Sequence, residues 1–157
     1  MTTFIGIDPG YSGTIAALFP SDRLSVYDMP VIKVKGEKTK LDVPRLATLL
    51  IPFSEISAYV AVENVHSMPK QGVTSSFNFG YQLGAIEGIL EALGIPYQKV
   101  APVTWKKHFA LIGMSKSGSR AVAEIRFPEH ANLFSRAKDD GRAEATLMAL
   151  WLKDNYK

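Results

Sequence analysis

Phe4-Ile5-Gly6-Ile7-Asp8-Pro9-Gly10-Tyr11-Ser12-Gly13-Thr14-Ile15-Ala16-Ala17-Leu18 reads as a β-hairpin whose first strand closes on an acid. Residues 3–8 are apolar and β-prone, residues 9–13 carry the turn formers Pro, Gly and Ser, and Thr14 to Phe19 is a second β-like run. Outward from this hairpin, Pro20-Ser21-Asp22 is a further turn, and Arg23 to Asp28 alternates as a half-exposed third strand should. A loop bearing Lys33, Lys35, Lys38 and Lys40 follows, and Asp42 is placed to cap a short helix over 43–51, with Pro44 tolerated in its first turn.

Ala58 to Glu63 is a nearly continuous apolar run, the pattern of a strand buried on both faces, and it too closes on an acid. After a loop over His66 to Val73, Phe77, Tyr81, Ile86, Ile89, Leu90 and Leu93 recur at helical spacing through 74–93, until Gly94 and Pro96 stop the pattern. Residues 96–101 read as another strand, and Pro102 opens a helix to about Leu111. Ser117-Gly118-Ser119 then caps a helix ending at Phe127-Pro128, and a loop around Asn132 to Asp139 precedes a final helix over 141–153. Three meandering strands followed by right-handed crossovers give an α/β fold. Its mixed five-stranded sheet has three antiparallel strands, then parallel ones, with helices on both faces.

The 157 residues, 46% of them hydrophobic, suffice for one core, so a single domain over 1–157 is expected. With no cysteine there is no thiolate metal site, thiol catalysis or disulfide framework. The N-terminus lacks a basic, apolar secretory signal and no apolar run approaches the roughly 20 residues of a membrane helix, which points to a soluble cytoplasmic protein without membrane contact. The net charge of +3 is modest, but the bases cluster at 33–40, at Lys99, Lys106, Lys107, Lys116 and Arg120, and at Arg136, Lys138 and Arg142.

An acid at the end of an apolar strand borders the core, where an unpaired carboxylate is costly and a cation would offset the cost. If the strands ending in Asp8 and Glu63 are parallel neighbours, about 4.8 Å apart, their carboxylates emerge side by side where the strand order reverses. Asp140 and Glu144 open the last helix four residues apart and share a face, with Asp139 beside them. Singly, each acid also has an ordinary reading as a turn cap, a salt bridge or a helix-dipole partner. Together they form an all-oxygen set suited to Mg²⁺ or Mn²⁺, in a number that fits two ions. Such sites hydrolyse phosphodiesters by activating water and stabilising the leaving 3′ oxygen.

Gly6-Ile7-Asp8-Pro9-Gly10-Tyr11-Ser12-Gly13, Val62-Glu63-Asn64-Val65, Gly80-Tyr81-Gln82-Leu83-Gly84 and Asp140-Gly141-Arg142-Ala143-Glu144-Ala145 together resemble the RuvC family of Holliday junction resolvases, in the short form often carried by phages. The resemblance implies an RNase H-like fold, a homodimer, a bacterial or phage-infected cell as the setting, and paired nicks across four-way DNA junctions. It carries the catalytic, metal-binding acids onto Asp8, Glu63, Asp140 and Glu144. The last acid is Glu rather than the usual Asp and stands four residues after Asp140 rather than three, which keeps Asp139, Asp140 and Glu144 all as candidates. His66 stands near a position where the family often has a base-stacking aromatic, a role that Phe77 or Phe79 could take.

Pro102 to Phe109 is similar to the family's basic helix, with Trp105 and Phe109 facing the core. Lys106 and Lys107 would then point to phosphates, joined by Lys116, Arg120, Lys70 and Arg142 as candidate DNA contacts, which position DNA without reading bases. The 74–93 helix could bury Tyr81, Leu83 and Leu90 against its copy in a dimer. Two other readings stay open. One is a related nuclease acting on RNA, an RNA–DNA hybrid or other branched DNA. The other is the phosphate loop of actin-like ATPases, which residues 6–14 also resemble, although that superfamily needs two such domains.

Overall fold

β1 (Thr3–Asp8), β2 (Thr14–Leu18) and β3 (Leu24–Asp28) form an antiparallel meander in the computed structural model, which describes residues 1–64, 66, 70 and 72–156. Val65 and residues 67–69 and 71, on which part of the expected 66–73 loop falls, lie outside the described residues. β4 (Val31–Ile32) and β5 (Lys40–Leu41) pair as a small separate hairpin. Next come α1 (Val43–Ser54), β6 (Ala58–Glu63), α2 (Val73–Ala92), β7 (Tyr97–Val100) and α3 (Pro102–His108). α4 (Lys116–Arg126) and α5 (Asp140–Asn155) complete the chain, with 3₁₀ turns at Pro128–Leu133 and Ala137–Asp139 between them.

The main sheet runs β3-β2-β1-β6-β7, with β6 parallel to β1 and β7 parallel to β6. β2 is buried throughout and β1 over its first five residues, because helices cover both faces, and this explains why these strands read as continuous apolar runs rather than alternating ones. On one face Trp105, Phe134, Leu147 and Met148 pack around Phe4, Ala16 and Ala61; on the other, Leu46, Leu50, Phe53, Ile86 and Leu90 pack on Ile5, Ile7, Val60 and Val62. Gly6 lets α5 lie on β1: a β-carbon there would overlap the Ala145 carbonyl oxygen and stand 2.8 Å from the Ala149 amide nitrogen.

Several boundaries differ from the sequence reading. Asp42 does cap α1, accepting the Arg45 amide at 3.1 Å, but the helix runs on to Ser54 with Pro52 in its last turn. α3 stops at His108 rather than Leu111, because Ala110 takes a positive φ and the Leu111 amide turns back to the Lys106 carbonyl. Ser115, not Ser117, precedes α4; Gly118 lies inside the helix, packed on Met114 and Leu111. The lysine-rich 33–40 loop joins β4 to β5 as the turn of their hairpin, and the 132–139 loop is partly 3₁₀. α2 also corrects the expected contact set: Leu90 is fully buried in its own core and Leu83 packs partly against it, which leaves Tyr81 alone of the three exposed.

Candidate metal centre

Ile7 pairs with Val62 across β1 and β6, so the next residues, Asp8 and Glu63, leave the two parallel strands side by side. α5 crosses the same strand ends and supplies Glu144 from its second turn. Carboxylate oxygens of Asp8, Glu63 and Glu144 all lie within 4.8 Å of one another, the only such acidic or histidine group among the described residues. Burial pushes the Asp8 carboxyl well above the usual carboxylate range, and the nearby Glu63 and Glu144 push it further. Burial raises Glu144 too, with Glu63 adding to the effect. Glu63 is also raised by burial, but a hydrogen bond from Trp105 and the charges of Lys106 and Lys116 pull it back. Three close carboxylates whose ionised forms are disfavoured without a cation form a donor set that fits a hard divalent ion.

The remaining acids at the start of α5 have other partners. Asp140 accepts a hydrogen bond from Arg120 Nε at 2.9 Å and stands outside the three-carboxylate group. Gly141, not Asp140, faces Asp8: a β-carbon at 141 would lie 3.0 Å from Asp8 Oδ2 and 3.0 Å from the Ser12 carbonyl oxygen. Asp139 is 1% exposed and accepts from the Arg136 amide at 2.9 Å and from its guanidinium at 2.8 Å, closing a capping box that pulls its carboxyl below the usual range. This charge network, not the cluster, is where Asp139 belongs. Arg142, expected at DNA, forms a two-pronged pair with Asp28 at 2.8 and 2.6 Å and reaches Asp139 at 3.7 Å, tying α5 to the end of β3.

Lys106 Nζ stands 3.9 Å from Glu144 Oε1, and Lys116 lowers the carboxyls of all three cluster acids. Lys70, Lys107 and Lys116 are exposed. His66 is exposed beside Asn64, Phe77 is exposed and Phe79 half-buried. Trp105, read from sequence as core packing, is fully buried and in addition donates its indole N–H to Glu63 Oε1 at 3.0 Å. Helical spacing assigns it to the core; no signal in the sequence marks it as a partner of Glu63.

The sheet order, the two faces of helices and the acids at the β1 and β6 ends can be set beside solved structures. RuvC of Thermus thermophilus in complex with a Holliday junction substrate superposes with a TM-score of 0.60 at 19% identity, over 99% of this chain and 98% of that one. The fold is that of RuvC. A second structure of the same protein gives a TM-score of 0.58 at 16% identity, over 97% of this chain and 95% of that one. Among curated proteins, the chloroplastic Holliday junction resolvase MOC1 of Chlamydomonas reinhardtii is 27% identical over 152 aligned residues. That alignment takes in 82% of this chain, which spans only 17% of the length of that relative. No protein-family model matches the sequence. In this RuvC-like fold no described helix is long and apolar enough to cross a membrane.

Proposed function

We propose that this chain is a metal-dependent endonuclease that resolves four-way DNA junctions. The observation that carries the reading is the Asp8–Glu63–Glu144 cluster at the β1 and β6 ends of a RuvC-like sheet. The resolvase name of the 27% identical relative and the junction bound in the solved complex favour branched DNA over other polynucleotides. Asp8, Glu63 and Glu144 would hold Mg²⁺ or Mn²⁺; Asp140 would join only by leaving Arg120, so the second ion expected from four acids rests on that exchange. Bound ions of this kind supply Lewis acidity for water attack on a phosphodiester and for departure of the 3′ oxygen.

The chain's own groups have distinct tasks in this reading. Lys106 and Lys116 neutralise the crowded acids and attract the phosphate backbone; Lys107 and Lys70, both exposed, extend that attraction outward. Arg120 becomes available to phosphate when it releases Asp140. A homodimer through α2 would present two centres to two strands. Phe77 and Tyr81 stand exposed in one half of that helix, and Gly84 and Gly88 leave open space in the other.

Cleavage assays on a four-way junction, a linear duplex and an RNA–DNA hybrid, each with Mg²⁺ and Mn²⁺, test the reading. Paired nicks are expected in the junction alone, and equal cutting of all three substrates would overturn the junction preference. Asp8→Asn should abolish cleavage while leaving junction binding intact. Unchanged cleavage by this variant would remove Asp8 from the centre.

A further inference from the structure

α3 begins where β7 ends, and β7 is the strand beside β6, with Val100 in register with Glu63. Its short run therefore lies over the acid that closes β6. Trp105, one turn in, is fully buried, and Glu63 beneath it is only 6% exposed. The indole has a single N–H donor and no acceptor, so its match is an acceptor oxygen, and here that is Glu63 Oε1 at 3.0 Å. One oxygen of Glu63 is thus engaged by the indole, and the carboxylate has a second oxygen besides. The following residue addresses the other side of the same group: Lys106 Nζ is 3.9 Å from Glu144 Oε1 and 5.2 Å above the Trp105 ring. A phenylalanine could fill the pocket with apolar volume, but it could not hold a glutamate whose rotamers would otherwise have to be ordered by the ion itself.

We propose that Trp105 is a positioning residue of the metal centre, its indole N–H fixing Glu63 through Oε1 so that the remaining oxygen is presented to the divalent cation. The inference rests on the metal-centre reading above and adds to it a residue that touches neither substrate nor ion. Partners of this kind behind a ligand change metal affinity by roughly 10–100-fold when removed.

The test is a Mn²⁺ titration of the full chain without DNA, followed by paramagnetic resonance of the free ion, on wild type, Trp105→Phe and Trp151→Phe. Trp105→Phe should weaken Mn²⁺ binding by about tenfold or more, whereas Trp151→Phe, which alters packing on the same face of the sheet, should leave it unchanged. A folded Trp105→Phe protein that binds Mn²⁺ like wild type overturns the positioning role and leaves the metal centre standing. Wild-type protein that binds no Mn²⁺ overturns both. A second measurement needs no change at Trp105: in ¹⁵N-labelled Trp151→Phe protein, the single remaining indole N–H resonance should shift on saturation with diamagnetic Mg²⁺. An unmoved resonance overturns the proposal.

Discussion

Asp8 is disfavoured in its ionised form by burial and by the neighbouring Glu63 and Glu144, and Glu144 by burial and by Glu63 and Asp140. A carboxyl whose folded pKa lies above its ordinary value binds protons more tightly in the folded state. Its protonated form therefore adds stability that is present in acid and is lost as pH rises through the raised value. Asp8, Glu63 and Glu144 all act in that sense. Asp28 and Asp139 act in the opposite one: held below the ordinary range by Arg142 and Arg136, they add stability above the ordinary carboxylate pKa that is lost only as pH falls through their lowered values. Metal-free protein should therefore melt highest in mild acid, between those two ranges, and lower at neutral pH. Mn²⁺ should raise the melting temperature at neutral pH, with the gain shrinking toward acid as protons compete for the same oxygens. Melting curves in chelator and in Mn²⁺ across that range check both, and a metal-free protein that becomes steadily more stable from mild acid to neutrality contradicts the cluster's charge balance. At this scale Asp8, Glu63 and Glu144 were legible because an acid after an apolar strand, or four residues along a helix from another acid, is visible in one dimension. That Asp140 turns to Arg120 and that Trp105 reaches Glu63 depend on α3 and α4, which come from other parts of the chain, and no spacing rule connects them.

β1 and α5 define the molecule at the level of elements, because the strand supplies Asp8 and the helix supplies Glu144, and their backbones meet at Gly6. A methyl group at Gly6 has no rotamer that escapes, since the atoms it meets are the backbone of Ala145 and Ala149 rather than a flexible side chain. Gly6→Ala should cost about 3 kcal/mol, the upper end for overpacking, and should reduce Mn²⁺ affinity as α5 lifts away from β1. Denaturant unfolding and a Mn²⁺ titration on the same preparation measure the two effects; a stability loss under about 1 kcal/mol would mean that helix and strand are not clamped there. The strands and long helices were readable because burial on one or both faces imposes a period on the sequence. β4, β5 and the two 3₁₀ turns were not: each spans only two to six residues, too few for a period, and is held by neighbours such as the Arg136–Asp139 pair.

Seen whole, the molecule carries an exposed stripe along α2, on the face opposite the buried Ile86 and Leu90. Phe77, Tyr81, Gly84 and Gly88 follow one another by four, three and four residues, so they form a single stripe. The stripe is uneven: Phe77 is 75% exposed and Tyr81 52%, whereas nothing lies within 4 Å of a β-carbon built at Gly84 or Gly88. Projections in the N-terminal half and space in the C-terminal half are self-complementary only when two helices run antiparallel, the relation given by a two-fold axis perpendicular to them. In such a pair the aromatic rings of each copy would enter the glycine groove of the other, and Phe77 would be buried twice. Phe77→Ala therefore removes two buried rings, about 3–6 kcal/mol of association, and should raise the dimer dissociation constant by two to four orders of magnitude. Gly84→Leu should weaken the dimer by filling the groove instead. Sedimentation equilibrium distinguishes these outcomes. The functional consequence is separate from metal binding: a monomeric Phe77→Ala protein should keep its Mn²⁺ affinity yet cut junction strands independently, giving single nicks where the proposed dimer would give pairs. Wild-type protein that sediments as a monomer at working concentration while still making paired cuts would exclude α2 as the element that couples the two centres.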